Sequence, residues 1–240
     1  MISSLLYKSS YEINKYITIR IPTVREIVNN EEEYFSLVFA IIATPYDMMV
    51  QLDDIGVDFT TVTDWDIFLS LFEELKKKDL SLIFNNINIE DFYRVVNPQN
   101  GMVVLYNKKT DAVIDKEIYK KICNFLRKLL QLDKQDKKPA NEEAKKFMIE
   151  RARKKQNRRR RNKFHSQIED IIISLVNTPE FPYDYESVLD INIYQLYSSL
   201  RQIDKKIHYN NIMIGVYAGT VNTKEVDHQE LIWMANSNKK

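Results

Sequence analysis

Eleven cations crowd residues 144–163 (AKKFMIERARKKQNRRRRNK): Lys145, Lys146, Arg151, Arg153, Lys154, Lys155, Arg158, Arg159, Arg160, Arg161 and Lys163, against one acid, Glu150. The chemistry open to such a segment is binding: it attracts clustered carboxylates or phosphates and makes or breaks no bond by itself. Its formal charge is +10 in a chain of +1 overall, so the other 220 residues carry −9. Acids are concentrated in turn at Asp47, Asp53, Asp54, Asp58, Asp64 and Asp66. These six lack the D-x-D-x-D-G spacing and closing Glu of a calcium loop, and Asp54 and Asp64 suit helix ends. A surface that receives a basic segment is the better reading of them.

Little else in the chain has the types and spacing for catalysis. His165, His208 and His228 do not form H-E-x-x-H or a comparable ligand pattern, and the four glycines (Gly56, Gly101, Gly215, Gly219) are too scattered for a phosphate loop. A single cysteine, Cys123, rules out an internal disulfide and a thiolate zinc site, and its place near an apolar stripe marks a packed thiol. No catalytic residue, metal or cofactor is expected. A second set of binding candidates is aromatic: Phe181, Tyr183 and Tyr185 in TPEFPYDY, and Trp233 near the end. They can pack between the C-terminal helices or stand exposed as partner anchors, since Tyr and Trp are frequent interface hot spots.

For the basic segment the partner-binding residues are Arg151, Arg153, Lys154, Lys155, Arg158 to Arg161 and Lys163. Docking onto an acidic protein surface, another copy's included, ranks ahead of a merely solvated connector, and nucleic acid comes third because only Phe147 and Phe164 flank the charge for stacking. Membrane binding is not expected: residues 153–163 hold no apolar face to set opposite the cations.

The elements that must position these groups are mostly helices. With 44% hydrophobic and 29% charged residues but only four glycines and six prolines, a soluble, helix-dominated chain with a real core is expected. No signal peptide and no membrane span are expected, the longest apolar run being residues 37–43. Alternation over 11–13 and 17–21 reads as a hairpin, and Thr23 with Glu26 as a capping box. Helices are expected over 34–43, 46–54 with Gly56 beyond it, 65–75 capped by Asp64, and 79–84. The runs 92–96, 102–106 and 112–114, with Asn100-Gly101 between the first two, read as a three-stranded meander. Helix resumes after Asp115, again near Asn141, at a second capping box, Ser166 with Glu169, and after Asp190. A separate helix over 209–218 is expected to close at Gly219, and a last short one to follow Asp227, leaving 236–240 loose.

The expected fold is therefore mainly α with a small antiparallel β component (α+β), in two α-rich lobes. One is residues 1–135 with the meander near 92–114, the other 166–240, and a basic helical connector, 136–165, joins them.

Six phrases carry a resemblance: ITIRIPTVREI (17–27), ATPYDMMVQLDDIGVDF (43–59), KPANEEAKKFMIERARKKQNRRRR (138–161), LVNTPEFPYDYESV (175–188), INIYQLYSSLRQI (191–203) and GVYAGTV (215–221). Together they resemble a family of structural-module proteins of tailed bacteriophages and prophages from low-GC Gram-positive hosts. The resemblance implies no enzymatic activity and no catalytic residues. It implies a role in virion morphogenesis, with a tail assembly chaperone first and a tail or connector completion protein of the virion second. A nucleic-acid-binding accessory protein is the third reading. The partners implied are phage tail or virion proteins and further copies of the chain, met in the host cytoplasm during assembly or in the virion.

Overall fold

The computed structural model describes residues 5–98, 101–134, 138–161, 163–227 and 230–234, with the backbone only at 159–161 and 225. The fold is α+β: eight α-helices and two small antiparallel sheets among the described residues.

Strands β1 (Ser10–Asn14) and β2 (Ile17–Arg20) form the first hairpin, turned where the Asn14 side-chain oxygen accepts the amides of Tyr16 and Ile17, both at 2.9 Å. Period-2 patterning buries Ile17 and Ile19 completely. The segment expected as a helix over 79–84 is instead a turn that lies along β2. The Arg20 amide donates to the Ile83 carbonyl (2.8 Å) and the Asn85 amide to Thr18 (3.0 Å). Two forces favour this: Asp79 draws the Ser81 amide into a local turn, and the free edge of β2 needs partners.

Helix α1 (Val24–Val28) starts at the Thr23–Glu26 capping box, and α2 (Glu31–Ile42) carries three acids in its first turn. Helix α3 (Met49–Asp54) is shorter than expected and is followed by Gly56 at φ +72. Helix α4 (Asp64–Leu75) is capped by Thr63, paired reciprocally with Asp66, one residue before the Asp64 cap the sequence suggests. The meander is β3 (Phe92–Val96), β4 (Val103–Asn107) and β5 (Ala112–Ile114), in that order across the sheet. Residue Asn100 of its expected turn lies outside the described residues.

Helix α5 (Lys116–Leu129) packs against α2 and, through the Tyr119 ring, against Trp65 and Phe68 of α4. Its Tyr119 hydroxyl donates to the Ile41 carbonyl at 3.0 Å and its buried Arg127 guanidinium to Ile42 at 2.5 Å, so α5 satisfies the end of α2, where a cation is electrostatically favoured. Cys123 packs beside them, and burial pushes its thiol up to about 11.

Helices α6 (Glu142–Arg161), α7 (Gln167–Val176) and α8 (Ile193–Tyr217) follow. The α8 cap is Asn192, reciprocal with Gln195, where the sequence suggests Asp190; Asp190 instead ends a 3₁₀ turn and meets Arg25. Where two helices were expected, α8 is one, because no Gly or Pro interrupts residues 193–214. Its end is a Schellman turn: Gly219 (φ +70) donates to Val216 and Thr220 to Gly215. The helix expected after Asp227 falls partly on residues 228–229, outside the described residues, and 230–234 are turns and coil; 236–240 lie outside too.

The main core does not divide at the basic segment. Ile168, Leu175, Ile193 and Leu196, all 0–1% exposed, belong to the same buried cluster as Ile17, Val38, Phe72 and Leu126. A second, smaller cluster (Met49, Val50, Leu52, Phe59, Ile67) lies under α6.

Candidate functional site

The basic segment is helical from Glu142 because Asn141 accepts the Ala144 amide (2.8 Å), two acids occupy the first turn, and Lys, Arg, Gln and Ala are good helix formers. Met148, Ile149 and Ala152 share one face and pack against the Met49–Phe59 cluster. The same spacing carries Lys145 and Arg153 inward. Lys145 Nζ meets Asp58 Oδ2 at 2.7 Å, and the Arg153 fork takes Asp54 at 2.7 Å and Asp53 at 2.8 Å.

The acidic surface therefore receives a basic segment, and that segment belongs to the same chain. Each of the six acids has a partner: Asp47 caps with Thr44, Asp66 with Thr63, Asp64 meets Lys134 at 2.7 Å, and Asp53, Asp54 and Asp58 hold α6. Among the described residues, no group of three or more His, Cys, Asp or Glu is placed to hold a metal ion. The pairs at Arg153 are about half exposed, so they add little binding energy; the apolar contacts seat the helix and the charges set its register.

The hydrogen bond from Lys145, together with those from the Thr60 amide and hydroxyl, holds the Asp58 carboxyl at about 2. A carboxyl lowered in the folded state stabilises it fully above the unfolded value and ceases to do so as pH falls through the folded one. The contribution of Asp58 to the seat is thus lost between about pH 4 and pH 2. In an NMR titration its carboxyl carbon should turn near pH 2 and return toward 3.8 in Lys145→Met. A wild-type midpoint near 4 would show that the pair does not form.

The remaining cations face the other way. Lys146, Arg151, Lys154, Lys155 and Arg158 are exposed and have no ion-pair partner among the described residues, and Lys163 is likewise exposed. Glu150 and Phe147, 65% exposed, share that outer side. The side chains of Arg159, Arg160 and Arg161 lie outside the described residues. Reading the cations as one run missed this split. The signal was present in the period that places 145, 148, 149, 152 and 153 together.

The aromatic candidates separate as well. Phe181 is buried in the main core, with Tyr183 partly buried beside it (ring centroids 5.3 Å apart), so Phe181 is packing and not an anchor. Tyr185 is exposed and its hydroxyl accepts from Asn177. Trp233 is half-buried against α8: its carbonyl accepts from Gln202 Nε2 (2.9 Å), and Lys206 lies 5.8 Å from its ring. His165 meets Asp170 at 3.0 Å and His208 meets Glu230 at 3.9 Å; His228 lies outside the described residues.

Clefts open at two places among the described residues. One, of about 870 Å³, lies between the starts of α2 and α7 and is bordered by Glu32, Glu33, Lys78, Phe164, Glu169 and Ile172. The other, about 360 Å³, lies over Tyr119, Cys123 and Arg127, whose polar atoms are engaged with the end of α2. No described helix is long and apolar enough to cross a membrane.

Residues 154–238 match the family model described as YomV second domain, a family of phage and prophage type. The match begins inside α6, at the outward cations, and takes in α7 and α8. No curated protein and no solved structure matches the chain.

Proposed function

We propose that this chain is a non-enzymatic phage morphogenesis protein, a tail assembly chaperone that holds tail components until they polymerise. The phage-type match covers its C-terminal third, and the observation that carries the reading lies within that stretch. Ile203 still packs against the core, and beyond it α8 presents Ile207, Ile214 and Tyr217, the last 83% exposed. At spacings of seven and three residues these apolar side chains share one side of the helix, and they suit a partner that brings its own apolar face. At the far end of the sheet, Val96 and Met102 on the β3–β4 hairpin are 63% and 60% exposed and offer a second such contact.

A chaperone leaves its client before the particle is complete. Mass spectrometry of purified virions is therefore expected to find the chain absent, or far below the copy number of tail proteins, while it co-purifies with tail components from infected cells. Stoichiometric presence in the particle would overturn the chaperone reading and make the chain a virion component.

A further inference from the structure

We propose that the outward face of α6 is a binding surface for the phosphate backbone of duplex DNA, recognised without regard to sequence. Arg151, Lys154, Lys155 and Arg158 are the groups that make it, and the proposal is independent of the assembly reading.

Three observations favour this ligand over an acidic protein. First, the chain's own acidic surface is already filled: Asp53, Asp54 and Asp58 hold Arg153 and Lys145, so the surface a second copy would offer is occupied from within. Second, seating α6 uses its apolar side chains. Met148, Ile149 and Ala152 face the body, which leaves the outer side with cations, Glu150 and Phe147. Protein interfaces centre on apolar and aromatic anchors and are depleted in Lys at their core, so a nearly pure cationic stripe fits them poorly. Third, the four cations lie at spacings of three, one and three residues along about 10 Å of helix axis. They form a rigid row of positive charge, held in place by the seat, against a duplex with one phosphate per ~1.7 Å of its axis.

Duplex is favoured over single strand because stacking platforms interleave aromatics with charge, and Phe147 is the lone aromatic on this side among the described residues of α6. The neighbouring residues Arg159 to Arg161 and Lys163 extend the run in the sequence by four more cations.

The test is fluorescence anisotropy of the full chain with a labelled 30-base-pair duplex of arbitrary sequence, from 50 to 300 mM salt. Each cation placed on a phosphate contributes ~0.9 to the slope of log affinity against log salt. The quadruple variant Arg151→Gln, Lys154→Gln, Lys155→Gln, Arg158→Gln should lower that slope by about 3 to 4 and weaken binding at least tenfold at 100 mM salt. Lys8→Gln with Lys224→Gln, exposed cations elsewhere, should leave the slope unchanged, and circular dichroism should show both variants folded. No duplex binding by the wild type at 50 mM salt would overturn the proposal, as would an unchanged slope in the folded quadruple variant. Polyglutamate bound as tightly as duplex would reassign the face to an acidic protein. Tighter binding of single-stranded oligo-dT would reassign it to stacking.

Discussion

Replacing Glu31 by alanine is expected to destabilise the fold by about 2–4 kcal/mol, although Glu31 looks in the sequence like one of three interchangeable acids at a helix start. Glu31 is 5% exposed and belongs to α2, yet the partners of its carboxylate are at the start of α7, more than a hundred residues away. It accepts the Ser166 hydroxyl at 2.5 Å, the Gln167 amide at 2.8 Å and the Ile168 amide at 3.1 Å. These are the free donors at the positive end of a helix, where a carboxylate is favoured. The sequence suggests a reciprocal box between Ser166 and Glu169. Only half of it is used: Ser166 accepts the Glu169 amide at 2.9 Å, and Glu31 takes the donors that remain. Alanine would leave the buried Ile168 amide without a partner. Glu31→Gln keeps one accepting oxygen for both amides and should cost roughly half as much. Urea unfolding monitored by circular dichroism measures both. An alanine variant within about 0.5 kcal/mol of wild type would show that α7 does not need this carboxylate.

The second large effect is expected at Asn192, where alanine should cost about 2–3 kcal/mol. Its oxygen caps α8 by accepting the Gln195 amide at 2.9 Å, and its amide nitrogen donates to the carbonyls of Leu5 (3.0 Å) and Leu6 (3.2 Å). One side chain thus starts the last long helix and ties down the beginning of the chain. Asn192→Asp separates these roles. As a cap Asp equals Asn, but here its second oxygen would face the carbonyls of Leu5 and Leu6 and repel them. Asp is therefore expected to be less stable than Asn by at least about 1 kcal/mol. Equal stability would mean that Asn192 acts as a cap alone.

Both predictions concern the seams that make the core continuous, and neither seam was legible in the sequence. Local signals were. Thr23, Asp115, Asn141 and Ser166 each accept the amide three residues on, as their residue types and neighbours suggest, and Gly219 closes α8 in the left-handed conformation. Where the reading of a cap slipped, at Asp64 and Asp190, a better cap stood one or two residues away in Thr63 and Asn192, each with a reciprocal side chain at the third helical position. The segment 79–84 departs from its expected helix for a different reason. Its apolar residues answer to the edge of β2 some sixty residues earlier, a demand that no window of local periodicity contains.

The site divides along the same line. The sequence by itself determined that an otherwise acidic body carries one +10 segment, that this segment is a helix, and that six acids lie close together near residue 50. These follow from residue type and short-range spacing, which fix backbone hydrogen bonding within a few turns. The tertiary structure alone decided that the acids and the helix belong to each other. Lys145 and Asp58 are 87 residues apart, and Arg153 lies 99 and 100 residues from Asp54 and Asp53. Exposed charges are too weak and too screened to choose such partners. The choice was made by Met148, Ile149 and Ala152 finding the apolar cluster around Met49 and Phe59, and it fixed which cations turn inward and which remain for a partner.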